Sequence, residues 1–201
     1  MDEIVLKGMA KWPNVPAVYG WLSLDRRGNW LLKDEKISNP TVTAFIGRNY
    51  EHDDQGRWFF QNGPQRVFVD LEYTPFVYRV TAGVSEALEF ETHTGKRTHN
   101  AVSAWLDEQG VFLLETDLGI GLVDDRDLHL ILNALVAASS KRFDEDDIAA
   151  RLHGLELGED AGIYLRASQA NIPVCAILSR DVAKRFGFAP HPTDEAPRTT
   201  P

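Results

Sequence analysis

The sequence predicts an α+β fold, mainly antiparallel sheets from two related hairpin–helix–hairpin halves. Three observations carry this reading. A turn signature, acid-x-x-Gly-x-aromatic followed by an apolar residue, occurs four times. The segments flanking the copies are rich in aromatic and β-branched residues and alternate in polarity, as half-buried strands do. Helical spacing of apolar residues is confined to short stretches between the hairpins. The composition, 43% hydrophobic and 25% charged over 201 residues, is enough to bury a core in one large domain or two small ones.

The signature begins at Asp25, Asp53, Asp107 and, in a looser copy, Glu159. Its acid accepts hydrogen bonds from backbone amides two residues on. Its glycine takes the left-handed conformation that closes a type I turn with a bulge. Its aromatic residue (Trp30, Trp58, Phe112 or Tyr164) enters the returning strand, where a flat ring packs well. A Trp also precedes two of these turns, Trp21 and Trp105.

Residues 1–16 read as an arm, with Trp12 among prolines stapling it to the sheet. Residues 17–95 form the first half. Its opening hairpin pairs 19–24 with 29–33. Asn39 then caps a helix and Pro40 fits that helix's first position. Strands 57–61 and 66–72 flank a turn at Asn62-Gly63, strand 76–81 follows Pro75, and 88–92 closes the half. Residues 96–188 form the second half, opening with 102–106 paired to 111–116. Leu128, Ile131, Leu132 and Leu135 then line one helical stripe, and Asp124, Asp125 and Asp127 favour the positive end of its dipole. An extra helix is expected near 144–153, capped by Asp144. Strands 163–166 and 174–178 pair, and a last helix runs over 181–186 with Ser179 as its cap. The tail, 189–201, is expected to be disordered.

Charge narrows the function. Thirty acidic against 21 basic residues give a net charge of -9, which argues against a general nucleic-acid binder. The acidity belongs to the second half: residues 101–201 hold 17 acidic and 9 basic side chains. That reads as a solubility surface. No stretch approaches a membrane helix and the first residues lack a secretory signal, so the expectation is cytoplasmic with no membrane partner. One cysteine excludes an internal disulfide and a multi-cysteine zinc site.

Three stretches resemble a known family: Tyr19-Gly20-Trp21-Leu22, Asp54-Gln55-Gly56-Arg57-Trp58, and Glu72-Tyr73-Thr74-Pro75-Phe76. Together they are similar to an uncharacterised, mostly proteobacterial domain-of-unknown-function family. The resemblance implies an antiparallel α+β fold of repeated hairpin–helix motifs, and a suggested role in ligand binding or signal transduction. It brings no catalytic residues.

The chemical constellations are thin. Cys175 sits among apolar residues and reads as core. His93 and His99 bracket one loop and are the best candidates for a metal-dependent hydrolase; a surface loop explains them more simply. Gly119-Ile120-Gly121 lacks the rest of a dinucleotide fingerprint, since Asp124 occupies the third glycine position. The acidic clusters at 124–127 and 144–147 are explained by capping. No catalytic residue, metal site or cofactor is therefore assigned. Trp58, Gln61, Asn62 and Arg66 are the candidate ligand-binding residues, offering amide and guanidinium donors around a polar turn. The reading is a non-enzymatic binding or regulatory module for a small molecule or protein, with a hydrolase and an interaction scaffold as alternatives.

Overall fold

A computed structural model describes residues 1–12, 15–82, 88–159, 161–167 and 170–194. The chain divides into two compact units, Met1–Pro75 with Gly187–Pro201, and Phe76–Phe186.

Unit 1 contains α1 (Glu3–Lys11), β1 (Val18–Leu24), β2 (Trp30–Leu32), β3 (Glu35–Lys36), α2 (Pro40–Arg48), β4 (Tyr50–His52), β5 (Trp58–Asn62) and β6 (Gln65–Leu71). Its sheet runs β3-β2-β1-β6-β5-β4, with β1 parallel to β6 and the other pairings antiparallel. Asn39 caps α2 by accepting from Thr41 N and Val42 N. One sheet face lies under α2, where Phe45 meets Phe60 edge-on at 5.5 Å. Trp30, Tyr50 and Trp58 continue that aromatic layer. On the opposite face Tyr19 stacks on Phe68 at 4.6 Å, and Phe59 meets Phe68 edge-on.

The N-terminal arm contains a helix. In α1 only Val5 is buried, while Ile4 and Leu6 are exposed, so no apolar stripe announces it. Tertiary contacts fix it instead. Asp2 pairs with Arg48 at the end of α2, and its amide donates to Asn49 Oδ1 at 2.7 Å. Gly8 passes close to the Gly63 backbone and the Pro64 ring. The β5–β6 turn is shifted by one residue from expectation. Asn62 pairs with Gln65, so Gly63 and Pro64 form the turn, with Gly63 in the left-handed region.

Residues 187–194 return to unit 1 as a strap. Ala189 N donates to Gly56 O at 2.9 Å, Leu71 N donates to Pro190 O at 2.8 Å, and Phe188 is buried. The expected tail thus begins with a pinned stretch; its residues 195–201 lie outside the described residues.

Unit 2 contains β7 (Phe76–Ala82), β8 (Leu88–Thr92), β9 (Arg97–Thr98), β10 (Ala101–Asp107), β11 (Phe112–Thr116) and β12 (Gly119–Val123). A 3₁₀ turn at Asp125–Asp127 leads to α3 (Leu128–Ala134), β13 (Leu135–Val136) and α4 (Glu145–Glu156). Then come β14 (Tyr164–Arg166), β15 (Asn171–Ile177) and α5 (Ser179–Phe186). The sheet runs β13-β14-β15-β10-β11-β12-β7-β8-β9. Here β10 pairs parallel with β15, and β12 parallel with β7. The expected stripe is incomplete: Ile131 and Leu135 are buried, but Leu132 is exposed because the helix ends after two turns.

The path β3-β2-β1-β6-β5-β4 in unit 1 has a counterpart, β12-β11-β10-β15-β14-β13, in unit 2. Three signature turns share one geometry. Asp25, Asp53 and Asp107 each use Oδ1 to accept two amides, from residues two and four positions on. Gly28, Gly56 and Gly110 then have φ between 71° and 78°. At the fourth site Glu159 N donates to Gly154 O, so that acid ends α4. Thr92 to Lys96 forms a related turn, with the Thr92 hydroxyl accepting from Lys96 N.

Two buried carboxylates secure the 3₁₀ turn. Asp124 accepts from the Arg126 amide and guanidinium. Asp127 accepts from Arg79 and from Val80 N. The Arg126 contact brings the Asp124 carboxyl down to about 2. Burial alone would raise Asp127, but the bonds from Arg79 and Val80 more than offset it and leave it lowered. Both groups hold their protons more weakly folded than unfolded, so their stabilisation is complete above about pH 4 and drains as pH falls toward 2. Melting temperature followed from pH 6 to pH 2 is expected to fall in that window. Replacing Arg126 with Gln is expected to make this fall shallower, because the Asp124 carboxyl then titrates closer to its unfolded range; an unchanged profile would contradict the assignment.

Candidate functional site

The structure does not gather the four residues singled out in the sequence. Trp58 is half-buried on the α2 face, against Tyr50 and His52. Gln61 and Arg66 are register partners on the opposite face, where the Arg66 guanidinium lies 4.6 Å from the Phe59 ring. Asn62 is exposed at the start of the turn. Gln61 is buried; its Nε2 donates to Gly63 O, and its Oε1 has no hydrogen-bond partner among the described residues.

The other candidates are held by ordinary structural contacts. His93 Nδ1 accepts from Val77 N, and its ring lies 6.0 Å from Phe76. His99 is exposed. No group of three or more His, Cys, Asp or Glu side chains with metal-binding geometry occurs among the described residues. Cys175 is half-buried in β15, opposite Trp105 of β10. Gly119-Ile120-Gly121 is strand β12, where a side chain at 121 would collide with Tyr78. Trp105 is itself covered: Arg185 of α5 lies 4.0 Å from its ring and Phe186 meets it edge-on.

Trp21 is different. The β1–β6 register breaks between Val18 and Leu22, and Gly20 there has φ 68°. Such a bulge re-aims the side chains beside it. Trp21 is left 52% exposed, large for an indole on a sheet. A cleft of about 530 Å³ opens beside it. Lys33 and Asp34 form the β2–β3 turn, both in the left-handed region, with φ 49° and 68°. Lys33 N donates to Trp21 O at 2.8 Å, and Lys33 Nζ sits 4.2 Å from the indole centroid.

The remaining wall is polar. Ser23 and Asp70 are register partners on β1 and β6. His191 comes from the strap, with Nδ1 3.6 Å from Asp70 Oδ1. The cleft therefore combines an open aromatic surface, a cation, two carboxylates, a hydroxyl and an imidazole. Unit 2 has clefts of about 470 Å³ beside Val102, with no Phe, Tyr or Trp ring in its lining, and 400 Å³ beside Cys175, lined by the half-buried Tyr164. The sequence signalled Trp21 only as an aromatic ahead of a turn. Its neighbours come from three other segments and share no local pattern.

No helix among the described residues is long and apolar enough to cross a membrane. No curated protein matches the sequence. Among solved structures, a DUF1285 family protein from Silicibacter pomeroyi DSS-3 is similar in fold. It has a TM-score of 0.54 at 16% identity, covering 82% of this chain and 85% of that one. A DUF1285 family protein from Shewanella baltica OS155 aligns over 56% of this chain and 91% of its own, with a TM-score of 0.44 at 17% identity. A family model, DUF2944, described as "Protein of unknown function (DUF2946)", matches residues 1–193. With nearly its whole length matched, the chain belongs to that family of proteins of unknown function.

Proposed function

We propose that this protein is a non-enzymatic binding module whose ligand site is the Trp21 cleft of unit 1. The observation that carries this reading is the half-exposed indole beside a concave, mixed-charge surface. Binding sites join an apolar surface to a few placed polar groups, and this cleft has both. The Lys33–Asp34 turn adds support, because two non-glycine residues in left-handed conformation carry a local cost. Gln61 and Arg66 pair on the same sheet face but do not line the cleft, and Gln61 is buried. Trp58 faces the other way and has no part in the site. The recurring strand path supports reading the two sheets as related copies.

A thermal-shift screen of the full chain against sugars, nucleotides and small metabolites tests this. A ligand at one hundred times its Kd adds about 2.7 kcal/mol of stability. We expect at least one compound class to raise the melting temperature, and the shift to vanish in Trp21→Ala. A silent screen, or a shift that survives that substitution, would overturn the assignment.

A further inference from the structure

We propose that the ligand of the Trp21 cleft is a neutral saccharide, an inference that rests on the binding reading above. The cleft's charges favour a neutral, polyhydroxylated ligand. An anion drawn to Lys33 would still face Asp34 and Asp70. A cation seeking the indole would meet Lys33 Nζ already 4.2 Å from the ring centroid. A sugar avoids both conflicts. Its hydroxyls donate to the Asp34 and Asp70 carboxylates and accept from Lys33, while Ser23 can do either.

The indole supplies the rest. It is about half exposed, and the C–H face of a pyranose ring is a flat apolar partner for the side of the ring that Lys33 Nζ does not cover. The cleft volume, about 530 Å³, falls within the usual range for small-ligand sites and accommodates a short oligosaccharide. Its walls are also held in place. Lys33 is fixed to Trp21 through the backbone bond, and the strap carrying His191 is pinned by Leu71 N to Pro190 O. Pre-set groups lower the ordering cost that weakens binding to open surfaces.

The test is a titration of the ¹⁵N-labelled full chain with maltotriose, cellotriose and triacetylchitotriose, with choline and inorganic phosphate as cation and anion probes. We expect one or more trisaccharides to shift the Trp21 indole N–H saturably, with a Kd of about 1 mM. Trp21→Ala should weaken that binding about tenfold or more, read on the surrounding amides, and leave the melting temperature unchanged. Asp70→Asn should weaken it about threefold or more. If choline or phosphate shifts the indole and no trisaccharide does, the saccharide class is overturned and the binding reading stands. If none of the five does so at about 20 mM, the saccharide class is overturned and the thermal-shift screen decides the binding reading. A trisaccharide bound equally well by Trp21→Ala overturns the site.

Discussion

Gly56→Ala is expected to release the strap and lower the melting temperature by about 10 °C. Two effects add. Gly56 has φ 71°, a conformation an alanine adopts at a cost of about 1 kcal/mol or more. The new methyl would also overlap Gly187 O and lie 2.9 Å from Phe188 Cα. Backbone cannot rotate away as a flexible side chain can, so the strap must move. The two terms together come to about 3–4 kcal/mol. Gly110→Ala is the matched control: the same turn and φ 78°, but nothing within 4 Å of the added methyl. It should lose only the conformational part, about 1 kcal/mol. Hydrogen exchange supplies a local readout. The Ala189 and Leu71 amides, which donate to Gly56 O and Pro190 O, should lose protection in Gly56→Ala while Leu113 in unit 2 keeps its own. Equal losses of stability in the two alanine variants would refute the strap contact.

Gly121→Ala is expected to disrupt the parallel pairing of β12 with β7. Here φ is unremarkable and the effect is purely steric. The methyl would sit 2.6 Å from Tyr78 Cε2 and 2.7 Å from Phe76 O. Tyr78 is fully buried, and its hydroxyl is tied to Thr116 and Gly119 O, so the ring has no room to swing. Overpacking of this kind costs about 2–4 kcal/mol. The measurement is a chemical melt together with hydrogen exchange at Asp124, whose amide donates to Tyr78 O across the same seam. Loss of protection there, with the Asp25 turn of unit 1 unaffected, is the expected pattern. An alanine variant as stable as the parent would show that the seam can relax.

The parts of the fold legible in the sequence are those written in neighbouring residues. The three Asp turns are complete within five residues: an acid, two amides it can reach, and a glycine to close the loop. Asn39-Pro40 marks the start of α2 for the same reason, and Asp144 caps α4 through Asp147 N. The elements that sequence reading misses depend on distant partners. α1 has one buried residue and is fixed by Arg48 and Asn49. β3, β9 and β13 are two residues long and count as strands only through the neighbours they pair with.

The candidate site shows the same division. A strand's two-residue period already separates Trp58 from Gln61, since an odd offset changes face. Trp21 is visible as an aromatic beside a turn, yet its exposure comes from the irregular β1–β6 register. Lys33 reaches it through a left-handed turn with neither Asn nor Gly, and His191 through a strap whose anchors are Gly56 and Leu71. By itself, then, the sequence determined the α+β class, the Asp-turn hairpins and the helix caps, because backbone hydrogen bonding and glycine conformation act over a few residues. Tertiary structure alone decided the parallel seams, the strap and the cleft. Each depends on long-range contacts between segments that are far apart along the chain.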